Sequence, residues 1–152
     1  MVDVLIIFGL NLNLLGTRET EIYGADSMAD ILEELSVEAE RLGRSIDIMQ
    51  SNEEGFLLTA IQEASDKAAS ILFNLAAYTH TSTALRDALA MFDGPKVEVH
   101  LSNNDSREKF RQVSLTAGVS NGSIVGFGAD SFYMGLNAVH RLLQKREGAG
   151  VS

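Results

Sequence analysis

Apolar and polar residues follow two different spacings along this chain. Five short runs of apolar and β-branched residues, bounded by glycines or polar residues, predict buried strands. Between these runs, apolar residues recur every three or four positions, which is the spacing of an amphipathic helix. The five predicted strands are VDVLIIF (2–8), SIDIMQ (45–50), SILFN (70–74), VEVHL (97–101) and SIVGF (123–127).

Capping signals mark the ends of the predicted helices. Ser27 and Asp30 resemble a capping box, and the helix that they open is expected to end at Gly43. Asn52 and Ser82 are each placed to cap a further helix. A last helix is expected from about residue 129 to residue 145, followed by a tail that frays from about residue 147.

Strands that alternate with helices predict an α/β fold, a parallel sheet with helices on both faces. The chain has no internal repeat or linker, so residues 1–152 are predicted to form one domain. Right-handed crossovers leave few arrangements, and the flavodoxin-like strand order 2-1-3-4-5 is the usual one at this length. Ligands of such sheets bind beyond the carboxyl ends of the strands, here strands 1 and 3 with strand 4 nearby.

Composition and charge narrow the classes of partner. The 152 residues include 12 basic and 21 acidic ones, a net charge of −9, which argues against a nucleic-acid partner but not against a small anionic substrate. The absence of cysteine excludes a disulfide, a thiolate metal site and a cysteine nucleophile. No apolar run reaches the roughly 18 residues of a membrane span, and the start of the chain does not resemble a signal peptide. We therefore expect a soluble, cytoplasmic protein with no membrane partner.

Polar side chains follow the predicted strands at the edge where a ligand is expected. The long predicted loop at 9–26 is of a length that is usually functional or mobile. Each polar residue at this edge has an ordinary structural explanation, but the convergence of so many on one edge favours a functional site. They are Asn11, Asn13, Arg18 and Tyr23 after strand 1, Ser51 and Asn52 after strand 2, Asn74, Tyr78 and His80 after strand 3, and Glu98, His100, Leu101, Ser102, Arg107 and Arg111 on and after strand 4.

This set of side chains suits an anionic substrate that gains or loses a proton. Arg18 and Arg111 can hold a carboxylate. Asparagine side chains and backbone amides at this edge can stabilise developing oxyanion charge. His100, with the Glu98 carboxylate two residues away on the same face of its strand, is suited to act as a general acid. A phenol such as that of Tyr23 becomes a usable base when an arginine lies beside it. No spacing of histidines and carboxylates indicates a metal site.

The motifs at this edge resemble those of type II 3-dehydroquinate dehydratase (type II dehydroquinase). AYTHTS and EVHLSN, in this order and at this separation, are a highly specific pair, and the resemblance extends over about residues 4–145. The segments that carry it are NLNLLGTRE (11–19), IYG (22–24), QSNEEG (50–55), AYTHTSTALRDAL (77–89), VEVHLSN (97–103) and REKFR (107–111).

The resemblance implies a flavodoxin-like subunit of a dodecamer, a tetramer of trimers. It also implies anti elimination of water from 3-dehydroquinate through an enolate, without a metal or cofactor. The pathway served could be aromatic amino acid biosynthesis through shikimate or quinate catabolism.

The resemblance also assigns roles residue by residue. Tyr23 would remove the proton alpha to the ketone, and Arg18 would favour its ionised form and close over the substrate. Asn11 would hold the water that stabilises the enolate. His100 would protonate the leaving hydroxyl, supported by Glu98. The residues left to bind substrate are Asn74, His80, Leu101, Ser102 and Arg111, with Asp87 reaching a neighbouring subunit's site.

The chain departs from the family pattern at positions that have no assigned chemical role. Three of the departures, Leu10, Leu75 and Ala76, alter the backbone beside the base and its water, because proline fixes φ and glycine permits conformations that alanine disfavours. The full set is Phe8 to Leu10 where NGP is common before NLN, Glu53 where SNHEG is common, Leu75 and Ala76 where Pro-Gly is common, and Asn104 to Ser106 after EVHLSN.

Other functions compete with this interpretation. The departures motivate a non-catalytic or altered paralogue that binds a related polyhydroxylated acid. A flavodoxin-type cofactor binder would need a phosphate loop after strand 1, which GLNLNLLGT matches poorly. A receiver-type signalling domain would need an aspartate where this chain has Asn74. GFGADS (126–131) resembles a dinucleotide fingerprint, but it follows the last strand and is interpreted as helix-entry packing.

Overall fold

The computed structural model describes residues 1–17, 19–23 and 25–150 of the chain. Its five strands form one parallel sheet with the order β2-β1-β3-β4-β5, so the predicted flavodoxin-like topology is confirmed. Each strand matches a predicted run to within two residues at either end. The strands are β1 (Val2–Phe8), β2 (Ile46–Gln50), β3 (Ala68–Asn74), β4 (Lys96–His100) and β5 (Gly122–Val125).

Helices connect the strands, and two of them are single turns that the apolar pattern does not predict. These are α1 (Thr20–Tyr23), in the stretch expected to be a long loop, and α4 (Tyr78–Thr81). Both lie in polar stretches, where amphipathic periodicity carries no signal. The four longer helices are α2 (Met28–Leu42), α3 (Glu54–Lys67), α5 (Thr83–Met91) and α6 (Asp130–Gly148).

Most of the predicted helix ends are confirmed. The Ser27 and Asp30 capping box is present, and Gly43 ends α2 in the left-handed conformation that favours glycine. Ser82 caps α5 by accepting a hydrogen bond from the Leu85 amide (3.0 Å). The last helix includes residues 147 and 148, where a frayed tail was expected.

The predicted cap at Asn52 is wrong. Glu53 occupies the N-cap position of α3 without a side-chain cap bond. The Asn52 Oδ1 atom instead accepts hydrogen bonds from the Asn11 amide (2.9 Å) and the Gln50 side chain (3.2 Å). A tertiary contact across the sheet edge therefore replaces the local cap.

The core consists of two apolar layers, one on each face of the sheet. One layer packs α2 and α6 against the sheet, and the other packs α3 and α5 against the opposite face. The central strands β1, β3 and β4 are almost wholly buried, as a sheet covered on both faces requires. No helix among the described ranges is both long and apolar enough to cross a bilayer.

The register of the sheet brings the strand ends together. Phe8 at the end of β1 pairs with Gln50 on one side and Asn74 on the other. Immediately after β1, the Gly9 amide donates to the Asn74 carbonyl (2.7 Å). The chain segments that leave β1 and β3 therefore begin in direct contact, at the edge where the polar residues were predicted to converge.

Packing in the core explains two of the positions at which the chain departs from the family pattern. Leu75, where proline is common, is fully buried in the layer beneath α3 and α5, and Phe8 is fully buried against Phe132 with ring centroids 4.8 Å apart. Ala76, where glycine is common, has a φ of 55°. A β-carbon is disfavoured in this left-handed conformation, so this departure strains the backbone at the strand edge.

Candidate active site

A small pocket of about 90 Å³ lies beyond the carboxyl ends of β1, β3 and β4. Polar side chains from four separated parts of the chain converge on it, as predicted from the strand ends. Eight of the residues with a predicted role line it: Asn11, Tyr23, Asn74, His80, His100, Leu101, Ser102 and Arg111. Leu10, Leu12, Ala76, Ala77, Asn104 and Arg107 complete the lining.

Tyr23, the last residue of α1, packs partly buried against the core layer and presents its ring to the pocket. The Arg107 guanidinium lies over that ring, 5.1 Å from its centroid, in a cation–π arrangement. Arg107 also donates to the Ser102 hydroxyl (3.3 Å). A cation is therefore present beside the phenol. Arg18, which was predicted in that position, lies outside the described residues.

His100 and Glu98 form the predicted pair at the end of β4. The two side chains lie on the same face, with His100 Nε2 3.5 Å from Glu98 Oε2. Both are buried, and within the described part of the chain Nε2 has no hydrogen-bond partner. At this separation the attraction is that of an ion pair, strong only when the imidazole carries a proton.

The Glu98 carboxylate is held by two hydroxyls that the sequence interpretation missed. Ser114 Oγ donates at 2.9 Å to the carboxylate, and Thr116 Oγ1 donates to Oε1. Burial by itself would raise the pKa of Glu98. The interaction with His100, together with the hydroxyls of Thr116 and Ser114, outweighs burial and lowers that pKa below its usual value. Glu98 is therefore a stable anion behind His100.

His80 enters the pocket from α4 and is oriented by the same stretch of chain. Its Nδ1 atom lies 2.8 Å from the Val113 carbonyl, which can only accept, so Nδ1 carries a proton. The His80 and His100 rings are nearly parallel, with centroids 6.4 Å apart. Two imidazoles therefore line adjacent parts of one wall.

Asparagines shape the opposite side of the pocket. Asn11 adopts the left-handed conformation (φ 65°), and its amide is bound to Asn52. Asn74 is buried, and its Oδ1 atom accepts from the Ala76 amide (2.8 Å). Because Oδ1 is occupied in this way, the side-chain NH₂ of Asn74 is the group left to donate to a ligand.

The segment after β4 supplies the cationic side of the pocket. Leu101 and Ser102 follow His100 directly, and the Ser102 hydroxyl donates to Asn104 Oδ1 (3.0 Å). Arg111 lines the pocket while its Nε donates to Glu108 (2.9 Å). Two guanidiniums, Arg107 and Arg111, therefore face a site small enough for a compact anion.

Asp87 does not join this constellation. It lies on the exposed side of α5, where it forms an ion pair with Arg86 (2.9 Å). It is not among the residues that line the pocket. The predicted contact with a neighbouring subunit's site stays a prediction. Within residues 1–17, 19–23 and 25–150, no three histidine or carboxylate side chains cluster as metal ligands would.

Arg107, Ser114 and Thr116 are the residues that the sequence interpretation gave no role. All three lie between β4 and β5, in a stretch with no periodicity and only short 3-10 turns. One signal could have identified the two hydroxyls. Glu98 lies between two valines in a strand of a sheet that is predicted to be covered by helices on both faces, so its carboxylate is expected to be buried, and a buried carboxylate needs donors nearby.

The fold and the site together define a class of protein. It is an α/β protein with a small polar pocket at the strand edge, equipped with a phenol, two guanidiniums and a carboxylate-backed imidazole. Such an arrangement suits acid–base chemistry on a small anionic molecule.

Comparison with known proteins identifies the family within this class. The model for "Dehydroquinase class II" matches residues 2–140. A 3-dehydroquinate dehydratase of Geotalea daltonii is 51% identical over 142 residues, which cover 93% of this chain and 99% of that protein. A 3-dehydroquinate dehydratase of Trichodesmium erythraeum is 48% identical over 144 residues, covering 95% of this chain and 96% of that protein.

A solved structure supports the same assignment. The crystal structure of type II dehydroquinase from Butyrivibrio crossotus matches with a TM-score of 0.88 and 39% identity, covering 91% of this chain and 97% of that one. The chain belongs to the class II dehydroquinases, a family of enzymes.

Proposed function

We propose that this enzyme eliminates water from 3-dehydroquinate to give 3-dehydroshikimate. The observation that carries the proposal is the pocket itself, where Tyr23 and His100 both line a space that two arginines also face. One molecule held by its carboxylate can therefore meet a base and an acid at once. The family membership and the names of the relatives support the same substrate.

Tyr23 acts as the base in this proposal. Its phenolate removes the proton alpha to the ketone, leaving an enolate. The Arg107 guanidinium over the Tyr23 ring places one cation beside the proposed base. Arg18 adds a second when it closes over the substrate. Asn11 holds the water that donates to the enolate oxygen.

His100 acts as the acid in the second step. The enolate collapses to an enone as the hydroxyl beta to the ketone leaves, and His100 gives that hydroxyl a proton, so that water departs. The Glu98 anion 3.5 Å away stabilises the protonated imidazole before it donates. Base and acid act from opposite faces of the substrate, which gives anti elimination. The protein groups transfer every proton, so the proposal needs no metal or cofactor.

The remaining lining residues hold the substrate. Arg111 binds the carboxylate, and Ser102 with the amides beside it binds a hydroxyl. His80, whose Nδ1 proton is committed to the Val113 carbonyl, presents its other nitrogen as an acceptor for a substrate hydroxyl.

We further propose that the protein is cytoplasmic and assembles as a dodecamer in which Asp87 contacts the neighbouring site. Light scattering tests the assembly.

The appearance of the conjugated enone, followed by its ultraviolet absorbance, tests the overall reaction. Folded protein that yields no enone from 3-dehydroquinate would refute the proposal. Such a result would favour the altered paralogue that binds a related acid, to which the strained Ala76 in the pocket lining also points.

Two variants separate the steps. Tyr23→Phe should bind substrate almost normally by calorimetry but neither turn over nor exchange the alpha proton with deuterated water. His100→Ala should still exchange that proton, seen by NMR, while product forms slowly. Tyr133→Phe, a tyrosine outside the pocket lining, serves as the control and should keep full activity. Normal turnover by the Tyr23 variant would remove that residue as the base, and unchanged turnover by the His100 variant would remove the acid.

A further inference from the structure

Four residues between β4 and β5, which we call the 113–116 segment, contact both His80 and the Glu98 carboxylate behind His100. The Val113 carbonyl faces His80 Nδ1 at 2.8 Å. The Leu115 amide donates to the Thr79 carbonyl (2.9 Å), which anchors the segment to α4. The other two residues of the segment, Ser114 and Thr116, donate hydrogen bonds from their hydroxyls to the Glu98 carboxylate. The segment therefore links α4, which carries His80, to β4, which carries Glu98 and His100.

The hydroxyls are themselves fixed. Ser114 Oγ accepts from the Thr116 amide (3.2 Å) and the Ala117 amide (3.0 Å). Two amides that donate to this oxygen leave its own proton for Glu98. Thr116 is fully buried, with Oγ1 also 3.2 Å from Ser114 Oγ. Both donors are thus oriented before any substrate binds.

We propose that Ser114 and Thr116 are positioning residues that keep Glu98 ionised and in place behind His100 for the proton-donating step. The inference rests on the proposed function, because it assumes that His100 is the acid. Neither hydroxyl lines the pocket, so both act through Glu98 rather than on the substrate.

The Glu98 carboxylate carries its charge in a buried environment. Glu98 is 1% exposed, and burial favours the neutral acid. His100 Nε2 is also buried and lies 3.5 Å from Glu98 Oε2, so the Glu98 carboxylate is the negative charge that faces the imidazole. If the hydroxyl donors were lost, Glu98 would take up a proton at a higher pH. The imidazole would then lose its counter-charge.

The groups that surround Glu98 leave few other sources of charge. Its register neighbours on the flanking strands, Phe73 and Ser123, are uncharged. His100 on the same strand is the titratable group in contact with it, and His80 of α4 stacks beyond His100. A change in the pH profile after loss of a hydroxyl can therefore be assigned to the pair of Glu98 and His100.

Thr116→Val tests the proposal, with Thr116→Ser as the matched variant that keeps the hydroxyl. Valine preserves the shape and removes the donor. We expect kcat to fall about tenfold with KM within about twofold, since a positioned general acid contributes roughly 10²–10⁴-fold and only its support is lost. The acid-side fall of kcat should begin at higher pH in the valine variant and return to the wild-type position in the serine variant. A kcat profile that coincides with that of the wild type, or a rise in KM alone, would overturn the proposal.

Ser114→Ala and Ser114→Thr repeat the comparison if Thr116→Val does not fold. A measurement that needs no turnover separates this proposal from the proposed function. Carbon-13 NMR of the Glu98 carboxyl should show proton uptake at a higher pH in a hydroxyl-deleted variant than in the wild type. Equal uptake would refute the inference even in an active enzyme. A wild-type chain without dehydratase activity but with the expected NMR difference would refute the proposed function alone.

Discussion

Gly9→Ala should be strongly destabilising, because the chain after β1 passes directly against the chain after β3. A β-carbon on Gly9 would lie 2.5 Å from both the carbonyl carbon and the carbonyl oxygen of Leu75, and 2.8 Å from its Cα. All three atoms belong to the backbone, so no side-chain rotation can relieve the overlap. Gly9 is needed for close approach rather than for an unusual φ.

The magnitude follows from what must move. Carbon atoms prefer about 3.5–4.0 Å, so the two segments must separate by about 1 Å. That displacement breaks the bond from the Gly9 amide to the Asn74 carbonyl (2.7 Å), next to the buried Asn74 side chain. Overpacking costs about 1–3 kcal/mol and an unpaired buried polar group about 1–3 kcal/mol, so we expect a loss of about 2–6 kcal/mol.

Urea unfolding followed by far-UV circular dichroism measures this loss, with all variants compared at one protein concentration. The matched control is Gly55→Ala, at a helical glycine whose added β-carbon meets nothing within 4 Å. That control should be neutral or gain up to about 1 kcal/mol. A Gly9→Ala variant that loses less than about 1 kcal/mol would refute the close-approach argument. Any folded fraction should also turn over poorly, because Asn74 lines the pocket.

Two further predictions concern a strained residue and a helix-bridging carboxylate. Ala76→Gly should raise the free energy of unfolding, measured by urea denaturation, by up to about 1.5 kcal/mol. Relief of the left-handed φ (about 1–2 kcal/mol) outweighs the conformational entropy that glycine loses on folding. A less stable variant would contradict this prediction. Glu38 accepts from Arg41 and from Asn137 on α6, and these bonds, that of Arg41 foremost, lower its pKa from 4.5 to about 2. Because the pKa is lower in the folded state, the contribution of Glu38 is present above pH 4.5 and lost as pH falls towards 2. Glu38→Gln should therefore lower Tm near neutral pH, and the difference from wild type should vanish in acid. The loss should be equivalent to about 1 kcal/mol, because Arg41 is exposed to screening solvent. An equal difference in Tm at both pH values would count against this prediction.

Local patterns in the sequence were sufficient for the elements whose physics is local. The apolar runs predicted β1 and β3, and the Ser27 capping box predicted the start of α2. The failed cap at Asn52 shows where locality ends. Its side chain satisfies the Asn11 amide, 41 positions away, and no capping rule includes a donor so distant along the chain.

In the candidate site too, some contacts follow from local sequence spacing and others arise only from the fold. His100 and Glu98 were predicted as a pair because residues two apart on a strand share a face, and the structure places them 3.5 Å apart. Ser114 and Thr116, the donors to Glu98, lie in a stretch without periodicity, and only the folded path of that stretch brings them to β4. Arg107 likewise meets the Tyr23 ring across a separation that no motif spacing encodes.

By itself, the sequence determined the order of strands and helices, the edge where polar groups gather and the motifs of the family, since these depend on periodicity and on residue identity. Only the tertiary structure decided which groups satisfy the buried carboxylate, which cation lies on the phenol and why Gly9 must lack a side chain. These contacts join distant parts of the chain, and their energies depend on burial and on distances of a few ångströms.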